Sequence, residues 1–370
     1  MSGFVGRATP ALQALRAYDP GHDLPALRKT RAVGDLIELG SNENAWGASP
    51  KVLAAVHAAS AEAVFRYPDP MGVALRKALA ERHDVPLDDI VLGNGSHEIL
   101  MQLAQILCGP GDELVHSRFG FAVYPISARA VGATPISAAA FDVKAEMPLG
   151  HDLGAIFDAI TTRCRLVCMA NPNNPTGTWF TLTQLTAFME RVPRDLPVVI
   201  DEAYIEFADA PGLESALALR NRFPNLVVTR TFSKAYGLAG LRIGYAVAHR
   251  EIIDLINRLR ESFNVNGIAL LAAEVALRDR AHLNQVVSAT RGERERVTHA
   301  LRQRGLRVMP SQGNFVLIDF QREAAPIEAD LLRKGIVVRP MIAYGLPQCL
   351  RVTIATATEN DRFLEALSHE

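Results

Sequence analysis

Short apolar runs alternate with helical stretches between Ser49 and His249, and this alternation restricts the possible folds more than any other feature. The apolar runs are short enough for buried strands and cover Ile90–Leu92, Glu113–His116, Leu166–Ala170, Val198–Ile200 and Leu226–Thr229. The stretches with helical spacing are Lys51–Phe65, Val73–Arg82, Glu98–Leu107 and Thr183–Arg191. Strands that alternate with helices usually form a mostly parallel sheet covered on both faces. The sequence therefore predicts an α/β domain in this part of the chain.

The pattern changes after His249. Two helical stretches, Glu251–Arg260 and Ile268–Arg304, precede four short strand patterns at Leu306–Met309, Phe315–Asp319, Ile336–Val338 and Leu350–Ile354. This order predicts a smaller α+β domain at the C-terminal end. The first forty residues have weak periodicity and predict an arm followed by a short strand at Asp35–Leu39. We thus predict an arm at residues 1–45, a large domain at 46–262 and a small domain at 263–370.

Composition and charge exclude several classes of protein. Apolar residues make up 49% of the 370 residues, and 39 basic residues nearly balance 40 acidic ones, which gives no basic surplus for nucleic acid. No apolar run approaches the roughly 18 residues that a membrane span needs, and the N-terminal residues resemble no signal peptide. Cys164 and Cys168 lie in an apolar run, where cysteine behaves as a small hydrophobic residue, so no metal site is expected. We expect a reduced, cytoplasmic protein.

A lysine among small residues follows the strand pattern at Leu226–Thr229, in the segment Thr231-Phe-Ser-Lys234-Ala-Tyr-Gly-Leu-Ala-Gly-Leu-Arg242. A buried lysine loses its charge readily and can then attack a carbonyl carbon. Thr231, Ser233 and Arg242 supply groups that can hold an anion beside the amine. A surface lysine after a strand explains the segment as well, so this segment alone leaves both interpretations open.

Three further polar motifs follow predicted strands. Asp201-Glu-Ala-Tyr204 places an acid at a strand end, where open α/β sheets bind ligands, although capping of the next helix is an alternative. Asn171-Pro-Asn-Asn174-Pro-Thr-Gly177 describes a rigid turn. Gly93-Asn-Gly95-Ser-His97-Glu98 precedes a helix, and such a helix start is suited to an anion. A nicotinamide site is disfavoured because Glu98 replaces the third glycine of that fingerprint.

Taken together, these motifs resemble those of the fold-type-I, class II pyridoxal-phosphate-dependent aminotransferases, and more narrowly of the histidinol-phosphate aminotransferase family. The segments that carry the resemblance are SNENAWGAS (41–49), RYPDP (66–70), LGNGSHE (92–98), FAVYP (121–125), NPNNPTG (171–177), DEAY (201–204), TFSKAYGLAGLRIGY (231–245), FNVN (263–266) and LRVTIATATEND (350–361). The resemblance implies a large domain with a mostly parallel seven-stranded sheet between helices, and a smaller α+β C-terminal domain.

The resemblance also implies which residues hold the ring of pyridoxal phosphate. Lys234 is expected to form the Schiff base, and Asp201 to keep the pyridine nitrogen protonated. Tyr204 and Asn174 are expected to contact the ring hydroxyl oxygen, and Phe121 to stack on the ring face. The catalytic residues expected by this resemblance are Lys234, Asp201 and Tyr204.

The cofactor phosphate and the substrate have their own expected contacts. The resemblance assigns the phosphate to Thr231, Ser233, Arg242, the backbone N–H groups of Ser96 and His97, and Tyr67 of the neighbouring subunit, which implies a homodimer. It assigns the substrate to Arg351, Arg339 and Asn44. The sequence departs from the family at Ala45, where the family often has proline, and at His97, where it more often has Asn or Asp.

The implied reaction transfers the amino group of L-histidinol phosphate to 2-oxoglutarate and gives imidazole-acetol phosphate and glutamate, as in histidine biosynthesis. Three alternatives remain open from the sequence. They are an aromatic amino-acid aminotransferase, an O-phosphothreonine-type decarboxylase, and a cofactor-binding regulator with a degenerate site.

Overall fold

The computed structural model describes residues 3–15, 21–22, 27, 29, 36–59 and 61–367. Within them lie a seven-stranded sheet, a four-stranded sheet and a two-stranded sheet, with helices packed around them. Most of the predicted N-terminal arm between residues 16 and 35 lies outside the described residues. The described end of that arm forms strand β1, Ile37–Glu38, inside the predicted Asp35–Leu39.

The large sheet is α/β and mostly parallel, as predicted. Its strands are β2 (Ile90–Gly93), β3 (Glu113–Ser117), β4 (Thr134–Ala138), β5 (Cys164–Ala170), β6 (Val198–Asp201), β7 (Leu226–Thr231) and β8 (Gly244–Val247). Their spatial order is β2-β8-β7-β6-β5-β3-β4, and β8 alone runs antiparallel to both of its neighbours. Strands β4 and β8 escaped the sequence analysis, since β4 is a half-exposed edge strand and β8 is short and begins with glycine.

The helices around this sheet are Pro50–Ala58, Glu62–Phe65, Val73–His83, Ser96–Leu107, Val123–Ala130, Leu153–Asp158, Leu182–Arg191, Arg250–Leu259 and Gly267–Arg278. The helix predicted at Lys51–Phe65 is two helices in the structure. The first ends because the backbone of Ala59 leaves the helical conformation and becomes extended. The predicted block Ile268–Arg304 is also two helices, separated at Asp279. The Asp279 carboxylate accepts hydrogen bonds from Ser49 Oγ at 2.5 Å and Lys51 Nζ at 2.9 Å, a contact across the fold that local spacing does not reveal.

The smaller unit is α+β, as predicted. Its strands are β9 (Arg307–Val308), β10 (Phe315–Asp319), β11 (Ile336–Val337), β12 (Arg339–Pro340) and β13 (Cys349–Thr353). Strands β12, β13, β10 and β9 form an antiparallel sheet in that order, and β11 pairs in parallel with β1. The long helix Arg280–Gln303 and the helices Ala325–Arg333 and Ala357–Leu367 complete this unit.

The cores show how the two units divide the chain. Val297 and Leu301 of the long helix pack with strands of the small unit. The preceding helix Gly267–Arg278 instead buries Ala269 and Ala273 against the large unit. The domain boundaries stay a prediction, and helix Gly267–Arg278 packs on the large unit while strand β1 pairs with β11 of the small one. No helix among the described residues is long and apolar enough to cross a membrane.

Candidate active site

A cavity of about 970 Å³ opens where the carboxyl ends of β6 and β7 face the small unit. Because parallel strands end on the same edge of a sheet, the polar residues that follow them meet there. All of the predicted site residues except Tyr67 and Asn44 line this cavity: Ser96, His97, Phe121, Asn174, Asp201, Tyr204, Thr231, Ser233, Lys234, Arg242, Arg339 and Arg351. Their individual roles remain predictions, but the structure brings them together.

Lys234 lies half-buried in the cavity wall after β7. Its Nζ donates a hydrogen bond to the carbonyl oxygen of Ser41 at 3.0 Å and lies 6.0 Å from the ring centroid of Tyr204. Burial, and next the nearby guanidinium of Arg351, lower the pKa of Lys234 to about 7. The uncharged form of this amine is therefore accessible near neutral pH, as a nucleophile or general base requires.

Asp201 is the last residue of β6 and is only 4% exposed. Thr229 Oγ1 donates to its Oδ1 at 3.1 Å, and the hydroxyl of Tyr124 lies 3.4 Å from its Oδ2. Burial raises the pKa of Asp201 to about 6, against the lowering effect of these two hydroxyls. A buried carboxylate with few donors is suited to a cationic N–H partner, such as a protonated pyridine nitrogen. Tyr124 was part of the quoted FAVYP segment, but the sequence analysis gave it no role.

Tyr204 is held by Asn42, a residue that the sequence analysis also missed. Asn42 Nδ2 donates to the Tyr204 hydroxyl at 3.0 Å, and burial raises the pKa of Tyr204 to about 12. Asn42 has a φ of 55°, in the left-handed region that asparagine tolerates better than most residues. The tyrosine therefore stays protonated and can donate its hydrogen to an oxygen in the cavity.

Asn44 was predicted to contact the substrate, and the structure places it outside the cavity lining. Its Nδ2 donates to the carbonyl oxygen of Ala235 at 3.0 Å, and its Oδ1 accepts from the N–H of Trp46 at 2.9 Å. Asn44 thus ties the 41–46 segment to the residue after Lys234. The quoted SNEN segment contains two asparagines, and only the structure shows that Asn42 is the one that lines the cavity.

A cradle for an anion lies between the start of helix Ser96–Leu107 and the loop after β7. Ser233 Oγ accepts hydrogen bonds from Thr231 Oγ1 at 3.0 Å and from Arg242 Nη1 at 3.4 Å. A Cβ on Gly95, which has a φ of 82°, would lie 2.6 Å from Arg242 Nη2. The positive φ of Gly95 favours glycine at this helix start, and the hydroxyls, the guanidinium and the helix N-terminus suit a phosphate.

His97 lies beside this cradle. Burial and the Arg242 guanidinium lower the pKa of its imidazole, which favours the neutral form of the side chain beside the anion site. A backbone N–H contact at this position is unaffected by the departure from Asn or Asp. The cradle, the amine of Lys234 and the buried Asp201 carboxylate together fit the three parts of pyridoxal phosphate: phosphate, aldehyde and ring nitrogen.

Two arginines lie directly opposite each other on the small unit. Arg339 of β12 pairs with Arg351 of β13 in the antiparallel register, and both line the cavity. Directly opposed residues share one face of a sheet at roughly 5 Å between Cβ atoms, where like charges repel. Arg351 donates to Asn174 Oδ1 at 2.6 Å and to the carbonyl oxygen of Gly40. An anion in front of the pair would offset their repulsion.

Tyr67 lies away from the cavity. Its ring is 82% exposed and stacks on Phe263 at 4.5 Å between centroids. The neighbouring side chains Val64 and Phe65 are also exposed, at 83% and 64%. An exposed apolar group of this kind typically marks a surface that another molecule covers.

Two polar cavity residues, Arg129 and Tyr344, lie outside all the segments that carry the resemblance, and Glu43 lies in the SNEN segment but was given no role. The Tyr344 hydroxyl accepts a hydrogen bond from the N–H of Ala122 at 3.2 Å and so links the small unit to the residue after Phe121. No spacing rule connects residues 122 and 344, so this contact could be found only in three dimensions.

Comparisons with known proteins agree with this geometry. The model of the family Aminotransferase class I and II matches residues 34–367. Histidinol-phosphate aminotransferase 2 of Pseudomonas fluorescens is 46% identical over 371 residues, which covers 100% of this chain and 98% of the relative. Histidinol-phosphate aminotransferase from Sinorhizobium meliloti, solved in complex with pyridoxal-5'-phosphate, matches with a TM-score of 0.88 at 30% identity, over 98% of this chain and 97% of that one.

L-threonine-O-3-phosphate decarboxylase from Porphyromonas gingivalis matches with a TM-score of 0.77 at 24% identity, over 90% of this chain and 99% of that one, and this likeness concerns the fold alone. The fold predicted from the resemblance is confirmed by these neighbours. The family match spans nearly all of the described residues and contains every residue that lines the cavity except Leu15. The chain belongs to the class I and II aminotransferase family.

Proposed function

We propose that this chain is a pyridoxal-phosphate-dependent aminotransferase that acts on L-histidinol phosphate and 2-oxoglutarate and forms imidazole-acetol phosphate and glutamate. The observation that carries the proposal is the opposed pair Arg339 and Arg351 in the same cavity as Lys234. A substrate with an amine and a nearby anion satisfies both features. Relatives named histidinol-phosphate aminotransferase at 46% identity over the full chain support the choice of substrate.

The cofactor's contacts follow from the chemistry of the cavity. Thr231, Ser233, Arg242 and the N-terminus of helix Ser96–Leu107 would hold the phosphate, and Phe121 would cover one face of the ring. Asp201 would keep the ring nitrogen protonated. When bound, pyridoxal phosphate supplies an electron-poor ring that stabilises negative charge at the substrate Cα.

The protein moves protons at defined atoms. Nζ of Lys234, with its lowered pKa, accepts the Cα proton of the amine substrate as a general base. The protonated hydroxyl of Tyr204 and the amide of Asn174 would donate to the ring hydroxyl oxygen and orient the ring. Arg351 is in turn fixed by Asn174 Oδ1 at 2.6 Å, so the group that orients the ring also positions the anion site.

The two amine substrates present different anions to the same arginines. Histidinol phosphate has a phosphate ester one carbon beyond Cα, whereas glutamate has a carboxylate on Cα itself. A guanidinium fork matches either anion. Two such forks on neighbouring strands can therefore serve both half-reactions.

The proposal extends to a homodimer in the cytoplasm. The exposed group Val64, Phe65 and Tyr67 is apolar and lies on one short segment, so a second copy of the chain is a suitable cover. In such a dimer Tyr67 would reach the phosphate in the neighbouring cavity. Sedimentation of the purified protein tests this part of the proposal, and a monomer at micromolar concentration contradicts it.

Single half-reactions test the substrate. Purified protein loaded with pyridoxal phosphate is mixed in a stopped-flow instrument with histidinol phosphate, phenylalanine or O-phosphothreonine, without an acceptor. We expect the long-wavelength absorption of the bound cofactor to disappear fastest with histidinol phosphate. Faster loss with phenylalanine assigns the protein to aromatic transamination, and release of carbon dioxide from O-phosphothreonine assigns it to decarboxylation. No reaction with any amine contradicts an aminotransferase function.

A further inference from the structure

The cavity is rich in cations and poor in acids. Arg129, Lys234, Arg242, Arg339 and Arg351 all line it. Among the described residues of the lining, the acids are Asp201 and Glu43. Asp201 is deeply buried and has hydroxyl partners at both carboxylate oxygens. Glu43 is therefore the acid in the lining that has no assigned task.

The backbone around Glu43 is fixed, whereas its carboxylate has no partner. The side chain of Asn42 bonds to Tyr204, that of Asn44 bonds to Ala235, and the carbonyl oxygen of Glu43 accepts from Asn314 Nδ2 at 3.3 Å. Within the described part of the chain, the Glu43 carboxylate forms no hydrogen bond or ion pair. Glu43 is exposed and lines the cavity on a fixed loop, so its carboxylate is available to a polar group that enters the cavity.

Glu43 also lies near the reacting amine. Ser41, two residues earlier, accepts the hydrogen bond of Lys234 Nζ. The negative charge of Glu43 raises the pKa of Lys234, against the larger lowering by burial and Arg351. The carboxylate is therefore within electrostatic reach of the position where the substrate amine reacts.

We propose that the Glu43 carboxylate binds the imidazole N–H of the substrate and so selects an imidazole over a phenyl side chain. This inference rests on the proposed function. Histidinol phosphate offers three polar groups: the amine reacts beside Lys234, the phosphate faces Arg339 and Arg351, and the imidazole remains. An imidazole N–H is a good donor to a carboxylate, and a phenyl ring has no such donor.

Glutamate, the other amine substrate, should respond to a change at Glu43 in the opposite direction from histidinol phosphate. The side chain of glutamate ends in a carboxylate, which the charge of Glu43 repels if it occupies the same part of the cavity. Removal of that charge should therefore weaken the reaction with histidinol phosphate and strengthen the reaction with glutamate. A merely structural residue would change both in the same direction.

The test uses Glu43→Gln, which keeps the shape of the side chain and removes its charge. Because Glu43 remains accessible to solvent, we expect kcat/KM for histidinol phosphate to fall about tenfold and that for glutamate to rise several-fold. Phenylalanine, which has neither donor nor charge in its side chain, should change by less than about twofold. Glu146→Gln, at an exposed acid outside the cavity, is the matched control for the change in net charge.

Binding without reaction provides a second readout. Imidazolylpropyl phosphate and phenylpropyl phosphate lack the amine, and calorimetry measures their affinity for the holo-protein. We expect the wild-type protein to prefer the imidazole compound about tenfold and Glu43→Gln to lose that preference. An unchanged preference in the variant, or a parallel change for histidinol phosphate and glutamate, overturns the inference.

The two proposals fail in different ways. If the wild-type protein does not convert histidinol phosphate, the proposed function is wrong. If it does so and Glu43→Gln keeps the same ratio between histidinol phosphate and glutamate, the role of Glu43 alone is wrong.

Discussion

The two walls of the cavity differ in how their residues are spread along the chain. On the wall proposed to hold the cofactor, Thr231, Ser233 and Lys234 belong to one short segment at the carboxyl end of β7. On the wall proposed to hold the substrate, Glu43 comes from the N-terminal part, and Arg339 and Arg351 come from the small unit. The cofactor wall is therefore built mainly at the strand ends of one sheet, whereas the substrate wall forms only when the N-terminal segment and the small unit pack against that sheet.

This difference separates cofactor binding from selectivity between substrates. A pyridine cofactor makes the same demands in any reaction, so strand ends and one loop can meet them. Selectivity between amines depends on the assembled wall. Changes on the cofactor wall should therefore damage every half-reaction, while changes on the substrate wall should reveal which anion or side chain each residue serves.

The largest effect is expected at Lys234. Lys234→Ala removes the general base and the nucleophile together, so we expect turnover with either amine to fall by about 10⁴-fold or more. The phosphate cradle and Asp201 remain, and the variant should still bind pyridoxal phosphate noncovalently, as equilibrium dialysis measures. Lys144→Ala, at an exposed surface lysine, is the control. Retained turnover in Lys234→Ala contradicts the assignment.

The lowered pKa of Lys234 can be tested without the cofactor. Only an uncharged amine is acylated, so the labelling rate of Lys234 should rise with pH and reach half of its maximum near pH 7, where its pKa lies. At pH 7 the uncharged fraction of an ordinary lysine is roughly a thousandfold smaller, because its pKa is near 10.4. Mass spectrometry of the cofactor-free protein after brief acylation measures this. Labelling that follows the surface lysines in the same sample contradicts the lowered pKa.

Arg351 tests whether one group serves both substrates. Arg351→Ala leaves Arg339 without its neighbour, and we expect kcat/KM to fall about a hundredfold for both histidinol phosphate and glutamate. Arg351→Lys keeps the charge but loses the fork and should recover part of the loss. An unchanged rate with glutamate shows that the two amines place their anions on different residues.

The sequence predicts which residues meet in the cavity where the sheet topology alone decides it. Asp201 ends β6, and Asn174 and Lys234 lie in the turns that follow β5 and β7, so the topology of a parallel sheet brings them to one edge. The hydroxyl of Tyr124 beside Asp201 depends instead on how a helix packs on the sheet.

The fold shows the same limit. Central strands such as β5 and β6 were predicted because they are apolar throughout, whereas the edge strand β4 has too few buried residues to be recognised. At the helix break, the Asp279 carboxylate binds Ser49 and Lys51, which lie more than two hundred residues away. Local spacing carries no information about such a contact.

The smallest effect on activity is expected at Asn44, and this residue tests where the substrate wall ends. Its side chain bonds to Ala235 and Trp46 and does not line the cavity, so Asn44→Ala should lower the free energy of unfolding by about 1 kcal/mol. Denaturant unfolding measures this loss. Because the change acts on the segment that carries both Ser41 and Glu43, the rates with histidinol phosphate and glutamate should fall together, by no more than a few-fold. A shift in preference between the two amines would show that Asn44 contacts the substrate, as the sequence predicted.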